Sequence, residues 1–130
     1  MTAVVTRSNL TTHDMQHVIE ESRDLAAELR QAVKGEVRFD GYSRMLYSTD
    51  ASLYQIQPIG VVIPKREEDV QATVEIAAKR KVPILPRGSG SSLAGQAVGA
   101  AIVIDFSKYM GDLVQIDPEA RTVTVQPGMM

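Results

Sequence analysis

Cysteine is absent from this chain. Disulfides are therefore excluded, and the redox compartment is left open. No apolar run approaches the roughly 18 residues of a membrane span. The opening MTAVVTRSNLTTHD holds no apolar core of signal-peptide length, so the expectation is a cytoplasmic protein without a membrane span. Positive charge is not in excess: 14 Lys and Arg against 16 Asp and Glu leave a formal net charge of −2, which argues against a nucleic-acid surface. Histidine is limited to His13 and His17, in the run His13-Asp14-Met15-Gln16-His17. That spacing mimics a zinc-protease helix, but aspartate replaces the glutamate base and no third ligand is apparent. The expectation there is a solvated helix start and no metal. No acid, base or nucleophile stands out as catalytic, and no internal repeat is present.

What the chain does have is a glycine- and serine-rich stretch, Pro86-Arg87-Gly88-Ser89-Gly90-Ser91-Ser92-Leu93-Ala94-Gly95-Gln96. It follows an apolar run, Val82–Leu85, that reads as a buried strand. Glycine adopts positive φ without steric penalty and lets a ligand approach the backbone. Successive N–H groups in such a loop converge into an anion-binding nest, and Arg87 adds a fixed positive charge nearby. The expectation is a phosphate-bearing ligand. Spacing narrows the choice. Gly90 and Gly95 occupy the glycine positions of a P-loop, but Gln96 and Ala97 replace its lysine and hydroxyl residue. The dinucleotide pattern G-x-G-x-x-G fails too, because its third glycine falls on Leu93. A flexible linker is the structural alternative, set against strands that flank the loop closely.

Around that loop the chain reads as α/β. Met15, Val18, Ile19, Ser22, Leu25, Ala26, Leu29 and Val33 fall at helical spacing, with Thr12 as N-cap and Gly35 as stop. Residues 1–35 thus form an N-terminal helical segment, and residues 36–130 the rest. Ser43–Tyr47 forms one helical turn. Gly60–Ile63 is a β-branched strand ended by Pro64. Arg66–Lys81 is a helix with Glu67, Glu68 and Asp69 in its first turn, Lys79-Arg80-Lys81 complementing its dipole in the last, and an apolar face of Val70, Val74, Ala77 and Ala78. With Val82–Leu85 it makes a β-α-β unit. Ala101–Asp105 is a further strand, with Asp105 capping the turn through Ser107. Leu113–Ile116 and Thr122–Gln126 form a hairpin with Pro118 at the second turn position. Tyr42, Tyr47 and Tyr54 are expected to pack rather than to stack on a base.

The blocks that flank the loop carry a family resemblance. They are Tyr47-Ser48-Thr49-Asp50-Ala51-Ser52-Leu53-Tyr54, Pro58 through Pro64 (PIGVVIP), Glu67-Glu68-Asp69-Val70, Ile102-Val103-Ile104-Asp105-Phe106-Ser107, and Ile116 through Gly128 (IDPEARTVTVQPG). From about Tyr47 onward the chain resembles the FAD-linked oxidases of the vanillyl-alcohol oxidase (PCMH) type, and within them the D-lactate, glycolate and D-2-hydroxyglutarate dehydrogenases, including large forms fused to an iron–sulfur segment. The order of the blocks makes the resemblance specific.

The resemblance implies the first half of a PCMH-type FAD-binding domain, with residues 36–130 as its incomplete N-terminal part. In that family the loop cradles the FAD pyrophosphate, which assigns cofactor contacts to Pro86, Arg87, Gly88, Ser89, Gly90, Ser91 and Ser92, with Gly95 and Gln96 closing the loop. Pro58 matches a position near the adenosine end, and Gly128 one close to the flavin chain. Some relatives carry a loop histidine bonded covalently to flavin; this loop has none, so FAD is expected to be held non-covalently. The implied parent is an oxidoreductase that passes a hydride from a small D-2-hydroxy acid to the flavin, and the chain alone is expected to be inactive and to self-associate. Two alternatives stand beside it: a reductase resembling UDP-N-acetylenolpyruvoylglucosamine reductase, and a non-catalytic nucleotide-binding module.

Overall fold

Two β-branched runs, Gly60–Ile63 and Ile102–Asp105, are buried on both faces and form the middle of the sheet. The structure, a computed structural model, describes residues 12–130. Its elements are α1 (Thr12–Ala32), β1 (Glu36–Arg38), α2 (Gly41–Leu46), β2 (Gly60–Ile63), α3 (Glu67–Arg80), β3 (Ile84–Arg87), β4 (Ile102–Asp105), β5 (Leu113–Asp117) and β6 (Thr122–Val125). The main sheet has the order β1-β2-β4-β3, and β5 and β6 form a separate antiparallel pair. β2, β4 and β3 run parallel, while β1 is antiparallel to β2. β4 therefore lies between the two strands of the β-α-β unit.

One face of the sheet is covered by helices. Leu25 and Leu29 of α1, with Val33 just beyond its end, share a core with Val62, Ile76, Ala77 and Ile102. On the opposite face Val61, Ile63 and Val103 pack with Tyr47 and Leu85. Apart from the partly buried Leu85, each of these buried Val, Leu and Ile side chains contributes about 1.5–3 kcal/mol relative to exposure. The expected cap Thr12 and the stripe residues Met15 and Val18 have side chains outside the described residues, as has His13. Ile19 belongs to the expected stripe but is exposed.

α3 is turned from the expected face. Asp69, Thr73, Ile76 and Ala77 are buried, whereas Val74 and Ala78 are exposed. Asp69 anchors this orientation by accepting from the backbone N–H of Lys65 (2.9 Å) and of Lys34 (2.8 Å), tying α3 to the end of α1. Burial pushes its carboxyl up, but those N–H donors and the Arg66 guanidinium outweigh it and hold the group below its usual range. Lys79 and Arg80 do more than face a helix dipole. They pair with Glu28 of α1 at 3.2 and 2.7 Å, and Lys81 ends the helix in the left-handed region at φ 55°.

β3 starts two residues later than expected, because Val82 still donates its N–H to Ala77 of α3. Pro86 is tolerated within it because β3 is an edge strand, where a missing N–H breaks no ladder. In the hairpin, the Asp117 carboxylate accepts from the N–H groups of Glu119 (3.1 Å) and Ala120 (2.9 Å), forming the turn around Pro118. Among the described residues no helix is long and apolar enough to cross a membrane.

Candidate functional site

Parallel β3 and β4 end side by side, with Arg87 paired to Asp105 in register. The glycine loop springs from this carboxyl end, where open α/β sheets place their ligands. Residues 86–92 and 96 line one cavity of about 290 Å³, together with Ala97 and residues 127–130. The structure thus brings together nine of the sequence-selected positions: Pro86, Arg87, Gly88, Ser89, Gly90, Ser91, Ser92, Gln96 and Gly128. Gly95 lies outside this lining, over the Tyr54 ring. Pro58 lies apart as well; it is buried at the approach to β2, and its carbonyl accepts from Arg44 Nε at 2.8 Å.

The loop presents donors. Among the described residues, the backbone N–H groups of Ser89 through Leu93 have no protein acceptor, whereas those of Ala94, Gln96 and Ala97 are used internally. Ala94 and Gln96 donate to the Ser92 hydroxyl, which in turn donates to Gln96 Oε1. Ser89 and Ser91 leave their hydroxyls exposed at the same rim. Unpaired N–H groups beside small hydroxyl side chains are a donor set for an anion.

Two glycines show why the loop has this composition. Gly90 has φ +73°, and a Cβ there would sit 2.4 Å from Arg87 Nη2. Gly128 presses against the 106–110 turn: a Cβ would meet the Phe106 carbonyl oxygen at 2.1 Å, while its own N–H donates to the Met110 carbonyl at 2.8 Å. This seating brings the chain's last residues against the glycine loop.

Arg87 faces the protein as well as the cavity. Its Nη1 donates to the carbonyls of Thr49 and Ala97, both at 2.9 Å, and the guanidinium lies 5.3 Å from the Tyr47 ring centre. Tyr47 in turn donates its hydroxyl to Asp105 Oδ2 at 2.6 Å. Burial, and then that hydrogen bond, push the Tyr47 phenol well above the usual tyrosine range. Asp105 also caps its own turn as expected, accepting from the Ser107 N–H (2.8 Å) and hydroxyl (2.6 Å). Tyr42 and Tyr54 are exposed, so of the three tyrosines weighed from sequence Tyr47 alone packs inward.

Sequence reasoning missed the segment behind the loop. Ala51 donates its N–H to the Gly90 carbonyl at 3.1 Å, and Asp50 Oδ2 accepts from the Ala97 N–H at 3.2 Å. The Ser52 hydroxyl first, and with it the Ala97 N–H and the Arg87 charge, hold the Asp50 carboxyl below its usual range. Its signal was the Asp50-Ala51-Ser52 block, whose sequence distance from the loop hid the contact. His17 is paired with Glu21 at 3.4 Å, and among the described residues no cluster of metal-ligating side chains is present.

Residues 58–130 match the family model described as "FAD binding domain". The chain is 34% identical over 104 residues to D-2-hydroxyglutarate dehydrogenase of Escherichia coli K12, covering 78% of this chain and 10% of that protein. It is 36% identical over 114 residues to glycolate oxidase subunit GlcD of Bacillus subtilis 168, covering 84% of this chain and 24% of that protein. The chain therefore spans a tenth to a quarter of the length of these relatives. Among solved structures, 4-ethylphenol oxidase from Gulosibacter chungangensis superimposes with a TM-score of 0.68 at 21% identity, over 85% of this chain and 23% of that one. An alkyldihydroxyacetonephosphate synthase gives 0.69 at 23% identity, over 83% and 25%. These last two carry the fold alone. With a matched segment that runs from the approach to β2 through the glycine loop to Met130, the chain belongs to the FAD binding domain family.

Proposed function

We propose that the glycine loop holds the pyrophosphate of FAD, and that the protein to which this chain belongs oxidises a small D-2-hydroxy acid. The observation that carries the reading is the run of N–H groups from Ser89 to Leu93 without an acceptor among the described residues, in a loop that leaves the carboxyl ends of parallel strands and lines a cavity with small residues. The residues fit the group. A pyrophosphate needs donors and close approach, and Gly88 has open space around it.

In this reading Gly88, Ser89, Gly90, Ser91 and Ser92 bind phosphate oxygens, Pro86 and Arg87 shape the entry, and Gly95 and Gln96 close the loop. Gly128 holds the far wall toward the flavin chain, and Pro58 serves the adenosine end. When bound, FAD supplies the hydride acceptor that no side chain provides. This chain's own residues bind and orient it. The identities of 34% and 36% to a D-2-hydroxyglutarate dehydrogenase and a glycolate oxidase subunit support a hydroxy-acid substrate over the reductase alternative. Residues 1–35, of which Thr12–Ala32 are described as helix α1, precede an N-terminal part of the FAD domain at 36–130, and an iron–sulfur cluster, if the parent carries one, is held elsewhere. The chain by itself is inactive and self-associates, a view supported by the exposed apolar side chains of Leu113, Val114, Ile116, Val123 and Val125 on the hairpin.

The test uses the full-length protein. Purified material should carry flavin absorbance, and dye reduction should follow addition of D-lactate, glycolate or D-2-hydroxyglutarate. A protein that takes up no FAD refutes the cofactor assignment; one that binds FAD and reduces no dye with any of the three refutes the substrate class.

A further inference from the structure

The base of the glycine loop is closed by charge. Ala97, buried where the loop ends, has both polar groups of its backbone held by side chains of opposite sign. Its carbonyl accepts from Arg87 Nη1 at 2.9 Å, and its N–H donates to Asp50 Oδ2 at 3.2 Å. The same Arg87 nitrogen donates to the Thr49 carbonyl at 2.9 Å, so the residue before the loop is tied to the residue after it and to the segment behind. Ala51 adds a fourth tie by donating its N–H to the Gly90 carbonyl at 3.1 Å. The guanidinium lies beneath Gly90, where a Cβ would strike it, and over the Tyr47 ring. Nη1 carries two N–H bonds in the guanidinium plane, one for each carbonyl, while the rest of that plane lies between Gly90 and the Tyr47 ring, a fit that lysine's compact ammonium does not reproduce.

We propose that Arg87 and Asp50 are positioning residues that staple the glycine loop shut through the Ala97 peptide, with Arg87 shaping the cradle from below rather than pairing with the ligand's phosphates. A loop ordered in advance loses less entropy on binding. The arrangement also gives the Asp50-Ala51-Ser52 block a physical role as the loop's back wall. Its functional meaning rests on the loop being the flavin cradle, but the staple itself does not need flavin.

The first test is hydrogen exchange on the 130-residue chain without flavin. In the wild type the Ala97 amide should be protected while those of Ser89 through Leu93 exchange freely. Arg87→Lys and Asp50→Asn should each lower Ala97 protection by about tenfold while Val61–Ile63 and Ile102–Ile104 stay protected. An unprotected wild-type Ala97, or variants that leave its protection unchanged, overturns the staple. The second test measures FAD affinity in the full-length protein. The staple makes both substitutions weaken FAD by about tenfold, although one removes a negative charge and the other keeps a positive one. Arg87→Lys retaining affinity while Asp50→Asn tightens it would show direct pairing with phosphate and overturn the proposal. A wild type that binds no FAD would refute the flavin reading and leave the exchange result to decide the staple.

Discussion

Replacing Gly90 by alanine tests the loop most sharply, because two independent costs meet at that residue. The first is backbone strain: at φ +73° an L-residue costs about 1–2 kcal/mol. The second is displacement of Arg87, since the new Cβ would lie 2.4 Å from Nη2. A guanidinium that moves away gives up its donation to the Thr49 and Ala97 carbonyls, bonds worth about 1–2 kcal/mol together in this half-exposed setting. Gly90→Ala should therefore destabilise the chain by about 2–4 kcal/mol, and Gly90→Val by more, its branched Cβ fitting positive φ still less well. Gly88 is the internal control. Its φ is not positive and a Cβ added there would meet nothing within 4 Å, so Gly88→Ala should change stability by less than about 0.5 kcal/mol. Urea unfolding of the chain reads both. In an Arg87→Ala background the second cost disappears, so Gly90→Ala should cost about 1–2 kcal/mol less there than in the wild type. Equal costs in the two backgrounds, or a Gly90→Ala change indistinguishable from Gly88→Ala, would refute the reasoning.

Glu36 sits among Lys108, Tyr109 and Arg38, and the Lys108 bond first, then that from Tyr109, lower its pKa from 4.5 to about 2. A depressed carboxylate stabilises above its ordinary pKa and loses that effect as pH falls through the folded value. Glu36→Gln should thus cost about 1 kcal/mol at pH 7, after allowing for solvent screening, and the gap to wild type should close between pH 4.5 and about 2 in urea titrations. Tyr47→Phe deletes the 2.6 Å bond to Asp105 and should cost about 1–3 kcal/mol, while in the wild type Tyr47 should be among the last tyrosines to ionise in an absorbance titration. Light scattering should find the isolated chain larger than a monomer, and Val123→Lys with Ile116→Lys should return it toward monomer, since both side chains are 57% exposed and paired across the hairpin. A monomeric wild type would contradict that part of the account.

The parts of the fold that could be read from sequence are those in which local pattern and tertiary demand coincide. β2 and β4 sit at the sheet centre, so Val61-Val62-Ile63 and Ile102-Val103-Ile104 are apolar without interruption and declare themselves. β1 escaped because Glu36-Val37-Arg38 is three residues long and charged at both ends, its identity resting on pairing with β2. The buried face of α3 was misread because Asp69 and Thr73, polar by composition, turn inward to serve backbone groups at 2.7–2.9 Å. The glycine loop was legible because close backbone approach restricts residue type. Its staple was not, since Asp50 and Ala97 are 47 residues apart and Thr49 and Arg87 are 38 apart, and an isolated Asp or Arg carries no mark of such a partner.

The central claim, that the Gly88–Ser92 backbone is a pyrophosphate cradle, is tested most directly by a crystal structure of the full-length protein with FAD. Pyrophosphate oxygens should lie about 2.7–3.2 Å from backbone nitrogens between Ser89 and Leu93, with Gly128 on the opposite wall. A pyrophosphate bound away from this loop, with those N–H groups turned to solvent, would contradict it.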